Sequence, residues 1–288
     1  AYRLSVVLDL IKTGVISLLR GNQSEIKAIY DALSPDDQAD TSTTGKGVDS
    51  GQVEDSAVIA YRLARLINCP VVATGEDDYV SDGTRVFAVP HGHPIMTAVT
   101  GTGCLLGAVL AAFFSAYYPC KDRLSIGEFL AYALAYYGLA GESAVQVSGV
   151  KPGSFSTAFM DALYTLDDAV LISENRIRTV VVPDQLEVYF IGGTQDVELN
   201  ENCLLSIVED ACRGGVTCFQ FREKGVGTLV GQQKLELAQQ LKQICAKHNV
   251  LYIINDDVDL AVAVNADGVH VGQEDMCLEE VRHLVGNK

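Results

Sequence analysis

The chain has 288 residues, a formal net charge of −16 at pH 7 and a hydrophobic fraction of 48%, and it contains no tryptophan. This length allows two ordinary domains or one large one, and the composition is typical of a globular α/β protein rather than a disordered chain. The negative charge argues against nucleic acid or an anionic membrane as a general partner.

The eight cysteines are scattered, and no two of them form a Cys-x-x-Cys pair. Several lie in apolar runs, where a thiol behaves as a small hydrophobic side chain, so the pattern favours a reducing compartment over a disulfide framework. No secretory signal opens the chain, and the apolar run Leu105–Tyr118 is shorter than the roughly 20 residues that cross a bilayer. We therefore expect a cytoplasmic protein.

The first half of the chain predicts an α/β sheet domain, because apolar residues alternate between strand-like and helix-like spacing. In chain order the predicted elements are a strand at Gly14–Leu19, a polar surface loop at Ser34–Gly51, a helix at Asp55–Asn68, a strand at Pro70–Thr74, a hairpin of Tyr79–Ser81 and Arg85–Val89 around Asp82-Gly83, and two long helices near Ser125–Val147 and Ser154–Leu166.

The stretch Val99-Thr100-Gly101-Thr102-Gly103-Cys104 lies between the hairpin and these helices. Glycines let the backbone pass close to a ligand, and the first N–H groups of a helix, with threonine hydroxyls, can bind an anion. A thiol in the first helical turn is then a candidate base. The spacing alone equally allows a glycine-rich strand-to-helix turn with an inert buried cysteine.

The second half of the chain is more regular. The stretch Thr179–Glu187 is polar and contains proline, and we place a domain boundary there. The predicted elements that follow are strand Val188–Ile191, helix Glu201–Arg213, strand Val216–Phe221, helix Val230–His248, strand Val250–Ile254, helix Val258–Val264, strand Gly268–Val271 and helix Leu278–Val285. Four consecutive strand–helix units predict a parallel sheet and half of a (βα)₈ TIM barrel.

Polar residues gather where these strands end, which is where ligands bind in such barrels. Gln220, Arg222 and Lys224 alternate after the second strand, so if the strand extends that far all three face one side and suit a diphosphate. Carboxylates follow the next two strands, in Asn255–Asp257 and Gln273–Asp275, as a Mg²⁺ ion bound partly by substrate phosphates requires. The alternative is salt-bridged loop residues and helix caps, which we favour for Asp257, Asp259 and Glu274.

Several motifs of the first half together resemble hydroxyethylthiazole kinase, over about residues 1–170. They are Arg20–Glu25, Lys46–Ser50, Val72–Gly75, Asp78–Gly83, Thr100–Cys104 and Gly153–Phe155. The resemblance implies a ribokinase-like fold, of which the family's first part is absent here. It also implies ATP-dependent phosphorylation of the thiazole alcohol that feeds thiamine synthesis.

The same resemblance implies roles for single residues. They are ATP contacts at Arg20 and Thr74, a substrate-facing anion hole at Gly101, Thr102 and Gly103, a catalytic base at Cys104, and support of a magnesium shell by Asn22 and Glu25. For phosphoryl transfer, the backbone N–H groups of the turn would meet the charge that develops on the transferred group.

The motifs Gln220–Lys224, Ile253–Leu260 and Gly268–Asp275 closely resemble thiamine-phosphate synthase. This resemblance implies that Gln220, Arg222, Lys224 and Asn255 bind hydroxymethylpyrimidine diphosphate. It further implies that Asp256 and Asp275 ligate Mg²⁺, which with the cationic side chains stabilises the departing pyrophosphate.

The two resemblances belong to consecutive steps, because the kinase product is the synthase substrate. We therefore expect an internal piece of a bifunctional thiamine enzyme, with a kinase-like domain at residues 1–180 lacking its first part and a synthase-like domain at residues 187–288 lacking its last part. The alternatives are another small-alcohol kinase fused to a barrel, and a nucleotide- or diphosphate-binding fragment without turnover. Small molecules are the expected partners, and the kinase resemblance implies a homo-oligomer for the complete protein.

Overall fold

The computed structural model describes residues 2–34, 50–121, 123–198, 200–273 and 275–286. Its contacts divide the chain into two compact units, residues 1–180 and 181–288. Most of the predicted loop Ser34–Gly51, including Lys46–Asp49 of the kinase-like motif, lies outside the described residues, as does Glu274.

The described part of the first unit contains five strands and eight α-helices. They are α1 (Tyr2–Lys12), β1 (Leu19–Asn22), α2 (Gln23–Leu33), α3 (Ser50–Ile67), β2 (Val71–Thr74), β3 (Asp78–Ser81), β4 (Val86–Val89), α4 (Ile95–Ala98), α5 (Thr102–Ala116), α6 (Ile126–Ser148), α7 (Pro152–Thr165), α8 (Asp168–Ser173) and β5 (Arg178–Val180).

The five strands form one sheet in the order β1-β2-β3-β4-β5. Strands β1 and β2 are parallel, and the remaining pairs are antiparallel. The predicted β3–β4 hairpin is confirmed: Asp82 Oδ1 accepts hydrogen bonds from the N–H groups of Thr84 (3.0 Å) and Arg85 (2.9 Å), while Gly83 takes a φ of +83°. The aspartate and the glycine thus close the turn that their sequence predicts.

Helix α6 forms the centre of the first unit. Its Leu130 and Leu134 share one buried core with Val72, Val80 and Phe87 of the strands. The helix is rich in alanine and glycine, and most of its residues are buried. Small side chains let neighbouring backbone approach this helix more closely than larger side chains would allow.

One prediction about the first unit is wrong. The strand predicted at Gly14–Leu19 begins only at Leu19, because Gly14 takes a left-handed turn (φ +67°) after α1, and pairing with β2 starts at Leu19. The stretch Thr179–Glu187, in which we place the domain boundary, contains the border between the two units after residue 180, and its first residues belong to β5, a strand that was not predicted and that pairs with β4. This strand is short and polar, so its sequence has no strand pattern, and it is recognised as a strand by its pairing with β4.

The second unit alternates strands and helices throughout its described residues. Its elements are β6 (Tyr189–Gly192), α9 (Glu201–Arg213), β7 (Cys218–Phe221), α10 (Gly231–Lys247), β8 (Leu251–Asn255), α11 (Val258–Ala263), β9 (Gly268–His270) and α12 (Leu278–Val285). The sheet has the order β6-β7-β8-β9, and every pair is parallel. The predicted parallel sheet is confirmed, and α9 and α12 have the predicted bounds.

The two faces of this second sheet differ. Phe219 and Tyr252 point to the helical side, where they are buried with Leu204 of α9 and Leu237 of α10. Side chains alternate along a strand, so Gln220 faces the other side. The helical side therefore carries the core of the unit and holds the strand ends in register.

A substitution at Gly138 tests the close packing on α6. A Cβ atom added there would lie 2.5 Å from His91 Cβ and 2.6 Å from the His91 carbonyl carbon. Because backbone must move to relieve this contact, we expect Gly138→Ala to lower the free energy of unfolding by about 1–3 kcal/mol. Urea denaturation followed by circular dichroism measures the change.

Gly107→Ala is the matched control, since a Cβ at Gly107 of α5 would meet no atom within 4 Å. Alanine is the better helix former, so this variant should be neutral or more stable by about 0.5–1 kcal/mol. Equal losses in the two variants would contradict the packing argument.

Candidate functional site

The glycine turn opens helix α5. Gly101 is the N-cap residue with a left-handed φ of +100°, and its carbonyl accepts the first helical hydrogen bond, from Leu105 N–H at 2.8 Å. The N–H groups of Gly103 and Cys104 lie in the first turn, where helix geometry provides no carbonyl partner. The Cys104 side chain is exposed. The turn thus combines an accessible thiol with amide donors.

The hydroxyl of Thr102 is used within the protein. It donates to the carbonyls of Met96 in α4 (2.8 Å) and of Val99 after that helix (3.1 Å). The expectation that this hydroxyl adds a donor to the anion hole is therefore not met, because its proton is already donated to these carbonyls. Thr102 contributes to the turn through its backbone.

Arg20 and Thr74 meet at one edge of the first sheet, because β1 and β2 are parallel neighbours. The Arg20 guanidinium donates to Thr74 Oγ1 at 3.1 Å, and its terminal nitrogens lie 3.6 and 3.7 Å from where a Cβ on Gly103 would be. Arg20 Nε is buried and has no hydrogen-bond partner in the described residues. A cation with a spare donor beside amide donors fits an anionic ligand.

Asn22 and Glu25 lie beside this edge and bond to each other's backbone. Asn22 Oδ1 accepts from Glu25 N–H (2.8 Å), and Glu25 Oε2 accepts from Asn22 N–H (2.9 Å). This reciprocal pair is a capping box that starts α2. The cap uses Asn22 Oδ1 and one Glu25 oxygen, and Glu25 Oε1 takes no part in it.

Asp78 is a neighbour of Arg20 to which sequence reasoning gave no role. It lies at the start of β3 and accepts a hydrogen bond from Gly75 N–H at 2.9 Å. Burial raises the pKa of this carboxyl to about 7, although the Gly75 bond and the Arg20 charge oppose the rise and Asp77 adds to it. Its place in the motif Asp78–Gly83 was visible, but its burial beside Arg20 was not.

A chain of hydrogen bonds crosses the second sheet. Tyr189 Oη donates to Gln220 Oε1 (2.9 Å), Gln220 Nε2 donates to Asn255 Oδ1 (2.5 Å), and Asn255 Nδ2 donates to Asp256 Oδ2 (2.8 Å). Gln220 is buried. The amide groups of Gln220 and Asn255 are thereby held in fixed orientations. Tyr189 was not foreseen as a member, since it precedes them by a whole strand–helix unit.

Asp256 lies beside the other predicted metal ligand, Asp275. Burial raises the pKa of Asp256, but hydrogen bonding with Lys224, Asp275 and Asn255 outweighs it, and the net pKa is lowered. Lys224 also forms an ion pair with Asp256, and Asp275 Oδ2 accepts from Gly272 N–H at 2.8 Å. Two adjacent carboxylates offer the oxygen ligands that suit Mg²⁺.

Arg222 departs from the predicted arrangement. Strand β7 ends at Phe221, so the condition for placing Gln220, Arg222 and Lys224 on one face of the strand fails. The loop that follows is held by Glu223, whose carboxylate accepts from the N–H groups of Thr194 and Leu229, both at 2.9 Å. Arg222 is exposed beside this loop.

Asp257, by contrast, has the structural role that was favoured for it. It caps α11 by accepting from Leu260 N–H at 3.0 Å, and it pairs with Lys234 at 2.7 Å. Among the described residues, no group of three or more His, Cys, Asp or Glu side chains is arranged to hold a metal. A metal here would therefore need oxygens from a ligand or water.

Two family models match the chain in succession. Residues 1–169 match the model described as the hydroxyethylthiazole kinase family. The chain belongs to this family. Residues 188–288 match the model described as thiamine monophosphate synthase. Both resemblances and their order are thus confirmed, and we refer to residues 1–180 as the kinase-like unit and to residues 181–288 as the synthase-like unit.

Known relatives agree with both matches. The chain is 34% identical, over 99% of its length, to the thiamine biosynthesis bifunctional protein ThiM/ThiE of Symbiobacterium thermophilum. It is 53% identical, over 36% of its length, to thiamine-phosphate synthase 1 of Streptococcus pneumoniae. The structure of hydroxyethylthiazole kinase from Pyrococcus horikoshii matches 62% of this chain, with 30% identity and a TM-score of 0.50, over 61% of that protein.

The chain spans about half the length of the curated relatives that it matches, 56% of the bifunctional protein and 48% of the synthase. Within the described ranges, none of the helices has the length and apolar character needed to cross a membrane.

Replacement of Asp78 tests its raised pKa in the kinase-like unit. Between the ordinary pKa of 3.8 and about 7 the folded chain holds a proton that the unfolded chain has lost. The stability that comes from the neutral carboxyl is therefore complete below 3.8 and is lost as the pH rises through about 7. Asparagine cannot ionise, so Asp78→Asn should not lose this stability. The free energy of unfolding of the variant minus that of the wild type should therefore increase as the pH rises from about 4 to about 7.

Urea unfolding at several pH values measures this gain. Asp161→Asn is the control, since Asp161 is exposed on α7. If the two variants show the same pH trend, Asp78 is not the group that titrates.

Proposed function

We propose that this chain serves thiamine formation with two activities. The kinase-like unit transfers the γ-phosphoryl group of ATP to the hydroxyl of hydroxyethylthiazole. The synthase-like unit binds hydroxymethylpyrimidine diphosphate for coupling to the resulting thiazole phosphate, with release of pyrophosphate. One observation carries the proposal: the two family matches follow each other in one chain, and the product of the first activity is the substrate of the second.

The finer features of the fold belong to the same proposal. We assign residues 1–180 to a ribokinase-like domain and residues 187–288 to a (βα)₈-type barrel, of which four strand–helix units are present. Support comes from the mixed sheet of the first unit and the all-parallel sheet of the second. The non-catalytic alternative is not favoured, because both matched families are named for enzymes.

In the kinase-like unit, Arg20 and Thr74 bind the phosphates of ATP at the edge where β1 and β2 end. The N–H groups of Gly103 and Cys104 point toward the start of α5, where they can bind the charge that develops on the transferred phosphoryl group. Cys104 takes the proton of the thiazole alcohol as its oxygen attacks. The exposed thiol and its place in the first turn support this role.

Asn22 and Glu25 also belong to the kinase proposal, as supports of a magnesium shell. Their side chains already form the cap of α2, and Glu25 Oε1 is the oxygen left outside that cap. This oxygen fits a water molecule of hydrated Mg²⁺, which commonly keeps several waters when it is bound with substrate phosphates.

In the synthase-like unit, Gln220, Asn255 and Lys224 bind the pyrimidine diphosphate, with exposed Arg222 at the rim of the site. Asp256 and Asp275 would hold Mg²⁺, since their carboxylates lie side by side and the ion prefers oxygen ligands. When bound, Mg²⁺ neutralises charge on the departing diphosphate. Lys224 remains close enough to exchange Asp256 for a phosphate oxygen.

Cys104→Ala tests the kinase assignment. Loss of a general base should lower the turnover of hydroxyethylthiazole by about 10²–10⁴-fold. ATP binding should persist, because Arg20 and Thr74 are unchanged. The measurements are phosphorylation of the thiazole alcohol and calorimetric titration with ATP.

Cys203→Ala is a matched control, because Cys203 is also an exposed cysteine at the third position of its helix, α9. Its turnover should equal that of the wild type. A Cys104→Ala variant that kept normal turnover would show that Cys104 is not the base.

Asp256→Asn and Asp275→Asn test the metal assignment. Each variant removes one carboxylate, so the gain in pyrophosphate affinity that Mg²⁺ provides should fall at least about tenfold. Calorimetric titration with inorganic pyrophosphate, with and without Mg²⁺, measures that gain. Asp257→Asn is the control, since its carboxylate is already used by Lys234 and Leu260. Unchanged Mg²⁺ dependence in both test variants would rule out the two-carboxylate site.

A further inference from the structure

Helix α6 contacts the loop that leads from β4 to the glycine turn at several points. Gly92 N–H donates to Glu142 Oε1 at 2.8 Å, and a Cβ on Gly141 would lie 2.5 Å from Met96 Sδ. Gly138 allows equally close contact with His91. The loop thus runs along one face of α6 before it reaches the turn.

The last of these contacts is made by Tyr137. Its hydroxyl donates to the carbonyl of Thr102 at 2.6 Å, at the first residue of α5. The ring is buried and lies nearly perpendicular to that of Phe159, at a centroid distance of 5.0 Å. Phe159 in turn stacks on Phe155. This aromatic packing fixes the ring and hence the position of the hydroxyl.

The bonded carbonyl belongs to the same peptide unit as Gly103 N–H. A trans peptide is planar, so its C=O and N–H point in opposite directions. A hydrogen bond that fixes the Thr102 oxygen therefore fixes the direction of Gly103 N–H. Gly103 itself lies beside the Arg20 guanidinium, since a Cβ built on it would be 3.6 and 3.7 Å from the terminal nitrogens of Arg20. Hydrogen bonding to the carbonyl also polarises the peptide and strengthens its N–H as a donor.

We propose that Tyr137 is a positioning residue, which aims the Gly103 amide at the transferred phosphoryl group through its hydrogen bond to the Thr102 carbonyl. The inference rests on the proposed kinase activity. It adds to the proposed site a residue that acts through the Thr102–Gly103 peptide and not by direct contact with the substrate. Burial raises the pKa of Tyr137, which the Arg20 charge opposes, so the hydroxyl keeps its proton at neutral pH and remains a donor.

The test variant is Tyr137→Phe, which removes the hydroxyl and keeps the ring against Phe159. Tyr136→Phe is the control: Tyr136 is the adjacent residue of α6, and its hydroxyl donates to the Leu163 carbonyl, away from the turn. Labelling glycine with ¹⁵N and threonine with ¹³C at the carbonyl selects the five Thr-Gly pairs of the sequence for NMR, and Gly103 is one of them.

We expect Tyr137→Phe to shift the Gly103 amide resonance and to lower kcat for thiazole phosphorylation by about tenfold, with the KM for ATP unchanged. Tyr136→Phe should change neither quantity. A merely structural role for Tyr137 would alter stability without this separation of kcat from KM.

Two results would overturn the proposal: a Gly103 resonance that moves no more than in Tyr136→Phe, or a shifted resonance with unchanged kcat. If the wild-type chain phosphorylates no thiazole alcohol, the proposed function fails. The Gly103 resonance then decides alone whether Tyr137 orients this amide.

Discussion

Parallel strand pairing determines where both candidate sites lie. Strands that run in the same direction end at the same edge, so residues far apart in the sequence become neighbours there. In the kinase-like unit this pairing aligns β1 with β2 and joins Arg20 to Thr74. In the synthase-like unit it aligns β7 with β8 and lets Gln220 bond to Asn255. Without that alignment these polar residues would lie apart, each at the end of its own strand.

Helix α6 provides the second constraint in the kinase-like unit. Its glycines permit backbone contact with the loop after β4, while its leucines fill the core against the sheet. One helix thus supports the sheet on one face and the glycine turn on another. Any change that moved α6 relative to the sheet would also move the start of α5, so core packing and site geometry are linked here.

Much of the fold follows from local patterns. The β3–β4 hairpin was predicted because Asp82-Gly83 suits only a tight turn, and α9 and α12 were predicted with the observed bounds because their apolar residues recur at helical spacing. Strand β5 was missed, since its three residues gain strand character only by pairing with β4. The local sequence does not show which distant strand a segment pairs with.

The residues of the two candidate sites also fall into those that the sequence indicates and those that only the structure shows. Cys104, Arg20 and Asp256 stand in motifs that could be recognised from the sequence, although their roles remain predictions. Asp78 also stands in such a motif, but its burial near Arg20 is seen only in the structure. Tyr137 stands in none of the motifs, and its bond to the Thr102 carbonyl is likewise seen only in the structure. The arrangement of Arg222 was wrong for a simpler reason: β7 ends one residue before it.

The backbone at Asp256 restricts which acid can occupy that position. Asp256 has a φ of +59°, in the left-handed region that asparagine and aspartate tolerate better than most side chains. Glutamate would carry the same charge, but it is less tolerated in this backbone conformation. Lengthening this side chain by one methylene group would therefore not be a conservative change, although the charge would be the same. The choice of aspartate is set by chain conformation as much as by chemistry.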